Sequence, residues 1–283
     1  MAHGRNRRPL DDLQPELKLA RKAALAAGAI LRGYWNDRSF KVGSKGRNNP
    51  VTSADMEADS AIKKILRTGF PGYGWLSEET ADDRERLAAR RVWIVDPLDG
   101  TREFINRVPE FCVAIALAEE GAPVLGVTYN PIRRQLFWAA RGLGCHFGTR
   151  RARVTRTRSL KRATVLGSRS EIARGEWKKF EPVMGVSPMG SVAYKLAMVA
   201  AGKADATFTR SPKSEWDIAS GAALIAEAGG RMTDIEGHEV RFNQRSVERH
   251  GLIASNGILH DSLRDLARRE GLLGEYRRGE HHR

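Results

Sequence analysis

A layered α+β fold is what this sequence predicts, and three observations lead there. Apolar residues first recur at three- and four-residue spacing, then short β-branched and aromatic runs follow one another through residues 73–140. Beyond them helical and strand patterns interleave without the regular βαβ rhythm of a Rossmann sheet. Leu13, Leu17, Ala20, Ala24, Ala27 and Leu31 lie on one helical stripe, which predicts a long first helix. After a polar connector, Val42 to Pro50, a second helix is expected from Thr52, with Ile62, Ile65 and Leu66 inward and Gly69 near its end. Strands are expected at Tyr73 to Ser77, Val92 to Val95, Cys112 to Ala118, Val124 to Tyr129 and Gln135 to Ala140. Turns are expected at Glu119 to Pro123 and at Asn130-Pro131.

The basic stretch from Arg150 to Arg162 reads as a linker in which Val154 is able to form a short edge strand. It divides the chain into an N-terminal α+β subdomain, residues 1–152, and a C-terminal subdomain, residues 153–283. The second part predicts a strand at Thr164 to Ser168, a helix from Ser191 to Ala201, a strand at Ala204 to Thr209, and a helix from Asp217 to Ala228 stopped by Gly229-Gly230. Strands near Arg231 and Leu252 and a helix from Asp261 to Arg269 complete it. No repeat of 20 to 50 residues is visible.

At 283 residues, with 41% hydrophobic and 29% charged residues, the chain has an ordinary globular balance and enough length for a sizeable core. Its longest apolar stretch, Ala23 to Leu31, is shorter than the about 20 residues that span a bilayer. The Arg-rich N-terminus lacks the apolar segment of a secretory signal, so the expected compartment is the cytoplasm. Cys112 and Cys145 have no metal-ligand spacing and read as free thiols. The formal charge of +14 favours anionic partners, whether nucleic acids or small phosphorylated metabolites. No aromatic residue interleaves with the cations between Arg150 and Arg162, which argues against nucleic acid as the partner and for a solvated basic loop. The oligomeric state is left open, a homodimer included.

Chemistry concentrates in Asp96-Pro97-Leu98-Asp99-Gly100-Thr101, entered from the apolar run Val92 to Val95. Carboxylates three positions apart do not share a strand face by simple alternation, so Pro97 and Gly100 must turn the backbone to make them converge. Convergent carboxylates with a carbonyl between them suit a hard cation such as Mg²⁺, which takes oxygen ligands and recruits a substrate phosphate. Ser77-Glu78-Glu79 and Glu215-Trp216-Asp217 supply further acids at element ends. Each has a structural alternative. Asp55 lies three residues after Thr52 and Asp217 three after Ser214, so both fit the N3 position of a capped helix without any metal. Glu78 and Glu79 fit a surface pair. Asp96, directly after an apolar strand, is harder to explain without a counter-charge.

Ser77-Glu78-Glu79, Trp93 to Thr101 and Trp216-Asp217-Ile218-Ala219-Ser220-Gly221 resemble, in order and rough spacing, the motifs of the inositol monophosphatase superfamily, over about Lys45 to Ala254. The resemblance implies Mg²⁺-dependent phosphomonoester hydrolysis, with two or three ions, on a five-layered αβαβα sandwich of the sugar-phosphatase type. It makes Glu78, Asp96, the Leu98 carbonyl, Asp99 and Asp217 the metal ligands. Glu78, Asp55 and Thr101 become catalytic, with Asp55 accepting from the Thr101 hydroxyl, which orients the attacking water. Gly100 and Thr101 would meet the phosphate through their N–H groups.

Asp99 to Ile105, followed by Pro109-Glu110-Phe111, resembles the 3'(2'),5'-bisphosphate nucleotidase branch of that superfamily. This implies adenosine 3',5'-bisphosphate, a by-product of sulfate assimilation, as the substrate cleaved to AMP and phosphate. Where inositol-cleaving relatives carry a hydroxyl-gripping glutamate, this chain has Arg210 or a neighbour in Thr209 to Lys213, and a cation there favours a second phosphate. Lys45, Gly190, Ser191, Lys195, Arg210 and Asp217 complete the expected substrate contacts. An inositol-1-monophosphatase or a broad sugar-phosphate phosphatase is the alternative within the class, and a basic nucleic-acid-binding protein the alternative outside it.

Overall fold

The computed structural model describes residues 13–38, 40–44, 50–209 and 211–270. Its helices are α1 (Gln14–Asp37), α2 (Ser53–Gly69), α3 (Thr101–Ile105), α4 (Arg169–Ala173), α5 (Val192–Ala200), α6 (Glu215–Glu227) and α7 (His260–Arg269). The predicted stripe forms the buried face of α1, with Pro15 in the first turn, and Arg38 ends it in the left-handed region with its N–H on Tyr34 O. Thr52 caps α2 in a box with Asp55 at N3.

Seven strands form one sheet in chain order: Gly74–Ser77, Arg91–Asp99, Cys112–Glu119, Ala122–Asn130, Gln135–Ala140, Gly144–Phe147 and Arg150–Ala152. Only the first pair is parallel. A second sheet of five strands runs Gly185–Met189, Thr164–Ser168, Ala206–Phe208, Leu252–Ser255, Arg231–Asp234. Three strands of these two sheets escaped the sequence pattern, as did two short pairs outside them, Val42–Ser44 with Pro50–Thr52 at the ends of the expected connector and Lys213–Ser214 with Glu248–Arg249. Gly144–Phe147, Arg150–Ala152 and Gly185–Met189 are short, glycine-flanked or polar, and two of them are sheet edges, where burial imposes little alternation. Val154 lies outside any strand; the basic edge strand is Arg150–Ala152.

Period-2 alternation decides the layering. Trp93, Val95, Val113, Ile115 and Leu117 face α1 and α2. Their neighbours Val92, Ile94, Ala114 and Ala116 face α5 and α6, which also receive Leu166, Leu252 and Ala254 of the second sheet. On the far side of that sheet Val165, Phe208 and Ile253 pack against Trp177, Phe180 and the Leu263–Leu266 face of α7. The order is helices, large sheet, helices, small sheet, helices, the expected five-layered α+β sandwich.

One buried polar trio, His260 with Thr233 and Ser255, tests the outermost layer. His260 is fully buried, with Thr233 Oγ1 2.9 Å from Nε2 and Ser255 Oγ 3.0 Å from Nδ1, and burial lowers its pKa from 6.5 to about 4. The folded state therefore disfavours protonation. Its contribution is fully present above pH about 6.5 and is lost as pH falls toward 4, up to about 3 kcal/mol for a shift of this size. Acid unfolding followed by circular dichroism should show a limb in that window that His260→Gln removes.

Candidate active site

Two carboxylates three residues apart reach one face because the strand bulges. Along Arg91–Asp99, Asp96 pairs with Ala114 and Asp99 with Cys112, so between these pairs two residues, Pro97 and Leu98, oppose one, Val113. Pro97, lacking an N–H, falls in the bulge, and Leu98 turns into the α1/α2 core. The convergence predicted from sequence is therefore made inside the strand rather than beyond its end. Gly100 follows at φ 99°, and a Cβ there would lie 3.1 Å from Glu110 O and from Phe111 Cβ. Thr101 then opens α3.

Glu78, Asp96 and Asp217 arrive from three elements, and one carboxylate oxygen of each lies within 4.8 Å of the others. Glu78 follows the first strand of the large sheet, with its N–H on Val95 O at 3.2 Å. Asp217 is N3 of α6, and its Oδ2 accepts from Ser214 N at 2.8 Å. Asp55 does likewise in α2, its Oδ2 accepting from Thr52 N at 2.8 Å while Oδ1 lies 3.2 Å from the Thr101 hydroxyl. For Asp55 and Asp217 the capping role predicted from spacing is present, and it does not exclude the functional role that the resemblance implies. One oxygen fixes the helix start, which leaves the other for the site. The Thr101 hydroxyl also lies 3.2 Å from Leu98 O, so its single proton is offered to Asp55 or to that carbonyl.

Asp99 stands slightly apart from the three-acid cluster. Its Oδ2 accepts from Ser191 Oγ and Ala193 N, both at 2.6 Å. Gly100, Thr101, Gly190, Ser191 and Lys195 line the same cleft, of about 420 Å³, as do Glu78, Asp96, Asp99 and Asp217. Lys45 and Arg210 lie outside the described residues. Glu79 belongs neither to the cluster nor to the cleft lining.

Several participants had no sequence signal or only a faint one. Asp59, one turn after Asp55 on the buried face of α2, accepts from Ser77 Oγ at 2.5 Å and Thr80 Oγ1 at 2.8 Å, bracketing Glu78. Its i, i+4 spacing from Asp55 on an apolar face was the available hint. Glu103 also lines the cleft, and so does Lys213, a cation of the Thr209 to Lys213 segment from which the sequence predicts one.

Burial first, then the repulsion of Glu78, Asp99 and Asp217, holds the Asp96 carboxyl well above the usual carboxylate range. Burial and the charges of Asp99 and Glu78 push Asp217 up to about 8. Asp99 is raised by burial against the opposing effect of Ser191 and Ala193. Burial, with Lys213 nearby, lowers Lys195 to about 8. Carboxylates driven toward protonation in this way are neutralised equally well by a hard cation, and an all-oxygen donor set is what Mg²⁺ takes. The residues fit such an ion.

The model of the inositol monophosphatase family matches residues 12–271. An inositol-1-monophosphatase of Caulobacter vibrioides is 37% identical over 259 residues, covering 87% of this chain and 97% of that relative. The 3'(2'),5'-bisphosphate nucleotidase CysQ of Shigella flexneri is 36% identical over 223 residues, covering 78% of this chain and 90% of its own. Among solved structures, an IMPase of Thermotoga maritima superposes with a TM-score of 0.80 at 31% identity, covering 92% of this chain and 98% of that one.

Proposed function

The chain belongs to the inositol monophosphatase family of metal-dependent phosphoric monoester hydrolases, and on that premise we propose that it cleaves a phosphate ester carrying a second phosphate, namely adenosine 3',5'-bisphosphate, to AMP and phosphate. The observation that carries the reaction is the convergence of Glu78, Asp96 and Asp217 within 4.8 Å, beside the Thr101–Asp55 pair. Glu78, Asp96, the Leu98 carbonyl, Asp99 through its remaining oxygen, and Asp217 would hold two or three Mg²⁺ ions. When bound, such ions neutralise phosphoryl charge and acidify a water. Asp55 accepts a hydrogen bond from the Thr101 hydroxyl, which leaves the hydroxyl oxygen to accept from the attacking water and hold it in line. The N–H groups of Gly100 and Thr101 are the proposed phosphate donors.

The second phosphate is supported by the cations of the cleft. Lys195 and Lys213 line it, and Arg174 stands at its rim. Ammonium and guanidinium groups recognise a phosphate better than a sugar hydroxyl. A second reading, inositol 1-phosphate, is favoured by Glu103 and Glu171 in the same lining, which can accept from hydroxyls, and by the name of the Caulobacter relative.

Comparing kcat/KM for adenosine 3',5'-bisphosphate, inositol 1-phosphate and fructose 1,6-bisphosphate separates these readings. The nucleotide is expected to be preferred at least tenfold, and Lys213→Ala should raise its KM by about tenfold, the loss of one charge-assisted hydrogen bond. A preference for inositol 1-phosphate would refute the substrate assignment and leave the metal chemistry standing.

A further inference from the structure

Pro109-Glu110-Phe111 sits between the two glycine turns that carry the site. Its backbone packs under Gly100, where Glu110 O and Phe111 Cβ leave no room for a side chain. Its carboxylate reaches the other turn. Glu110 Oε2 accepts from the buried Gly190 N–H at 2.8 Å, and the same carboxylate is gripped by Arg169 Nη2 at 2.8 and 2.7 Å and by Arg169 Nε at 3.2 Å. Arg133 adds a looser ion pair at 3.9 Å. On its other side Gly190 is pressed against Glu103, whose Cγ would lie 2.4 Å from a Cβ at that position. Pro109 O is held in turn by Asn130 Nδ2 and Arg133 Nε, each at 3.1 Å.

What this carboxylate fixes is the residue that follows. Ser191 adopts φ 56° and ψ 126°, a conformation that a non-glycine residue keeps only when its surroundings impose it. In that conformation Ser191 Oγ donates to Asp99 Oδ2 at 2.6 Å and accepts from Tyr194 N at 3.1 Å, and Ala193 N donates to the same Asp99 oxygen. The path Glu110, Gly190, Ser191, Asp99 runs from the loop before the strand Cys112–Glu119 to the start of α5 and back to the large sheet. The Oγ bonds and the Lys195 N–H on Ser191 O at 3.3 Å hold Ser191 from the helix side, and the Glu110 carboxylate on the Gly190 N–H is what holds the chain that enters it.

We propose that Glu110 is a positioning residue for the reaction: by holding the Gly190 N–H it locks Ser191 in its strained conformation, and Ser191 in turn fixes the orientation of Asp99. This rests on the assignment of Asp99 to the metal-holding wall. The carboxylate, rather than its ion pair with the partly exposed Arg169, carries the role, because an exposed partner contributes little.

The test uses the full chain and reads Mg²⁺ affinity by calorimetry alongside kcat and KM for adenosine 3',5'-bisphosphate and inositol 1-phosphate. Glu110→Ala should weaken Mg²⁺ binding and lower kcat, each by about 10- to 100-fold, with KM changed by less than about threefold. Glu110→Gln, which keeps an acceptor for the Gly190 N–H, and Arg169→Gln should both stay within about threefold of wild type. In a double-mutant cycle, Glu110→Ala should add little once Ser191→Ala is present, because both act on Asp99 through one path. Full additivity, unchanged Mg²⁺ affinity in Glu110→Ala, or a Gln variant as poor as the Ala variant would each overturn the proposal. If the Ala variant does not fold, Glu110→Asp, charged but too short to reach Gly190, carries the same expectation. Asp96→Asn separates this from the site assignment. If it keeps wild-type Mg²⁺ affinity and kcat, the metal-holding wall itself is wrong; if it loses both while Glu110→Ala loses neither, only the role of Glu110 falls.

Discussion

Asp96→Asn is expected to lower kcat by about 10³ or more, equal to about 4 kcal/mol of transition-state stabilisation, while the protein remains folded. Asparagine keeps the shape and the acceptor that Asp96 Oδ1 offers to Leu98 N at 2.9 Å, so the bulge survives. What it removes is one negative charge from a cluster whose members already repel one another. The metal-free variant should therefore unfold at a temperature equal to or above that of the metal-free wild type, whereas the stabilisation that Mg²⁺ gives the wild type should be lost.

The sign of the pH dependence follows from the same cluster. The folded-state pKa values of Asp96 and Asp217 lie above their unfolded values, that of Asp217 at about 8. Their stabilising contribution in the metal-free protein is complete below pH about 4 and disappears as pH rises toward 8. Removing Mg²⁺ should consequently cost most stability near pH 8, and Asp96→Asn should flatten that trend. Phosphate release within tenfold of wild type in Asp96→Asn, measured with saturating Mg²⁺, would sink the assignment of this residue.

Gly126→Val should be the most destabilising single substitution in the frame that carries the site. A Cβ at position 126 would stand 2.2 Å from the Ser220 carbonyl oxygen and 3.1 Å from Ala223 Cβ. A main-chain oxygen cannot swing away, so α6 would have to lift off the sheet and take Asp217 with it. Beside this contact Thr128 Oγ1 and Ser220 Oγ meet at 3.1 Å in the buried interface, and that contact would break too. Overpacking of this kind exceeds the usual 1–3 kcal/mol, and we expect about 4 kcal/mol or more, a fall of about 10 °C in Tm or failure to accumulate as folded protein. Gly33→Ala is the matched control. Gly33 lies in α1 with nothing within 4 Å of the new Cβ, and the change should stabilise by about 0.5–1 kcal/mol. A Tm for Gly126→Val within about 2 °C of wild type in a thermal scan would contradict the packing described here.

Most elements were legible because their causes are local. The α1 stripe, the Thr52 cap and the alternating apolar runs each depend on residues a few positions apart, and α6 starts only two residues before its predicted position. The candidate acids stood out in the sequence for a similarly local reason, since Glu78, Asp99 and Asp217 lie at element ends and Asp96 directly follows an apolar run. Edge strands were not legible, because Arg150–Ala152 and Gly185–Met189 are only partly buried and carry little hydrophobic pattern.

By itself, then, the sequence determined the layered α+β class, the helices and central strands, and which acids stand at element ends. Tertiary structure alone decided what those acids face. Asp99 meets Ser191 across 92 positions, Glu110 meets Gly190 across 80, and Gly126 meets α6, contacts that no local spacing encodes. The physical reason is one of range. Backbone geometry and periodic burial act over a few residues, whereas the repulsion among Glu78, Asp96 and Asp217 exists only once three distant elements have packed.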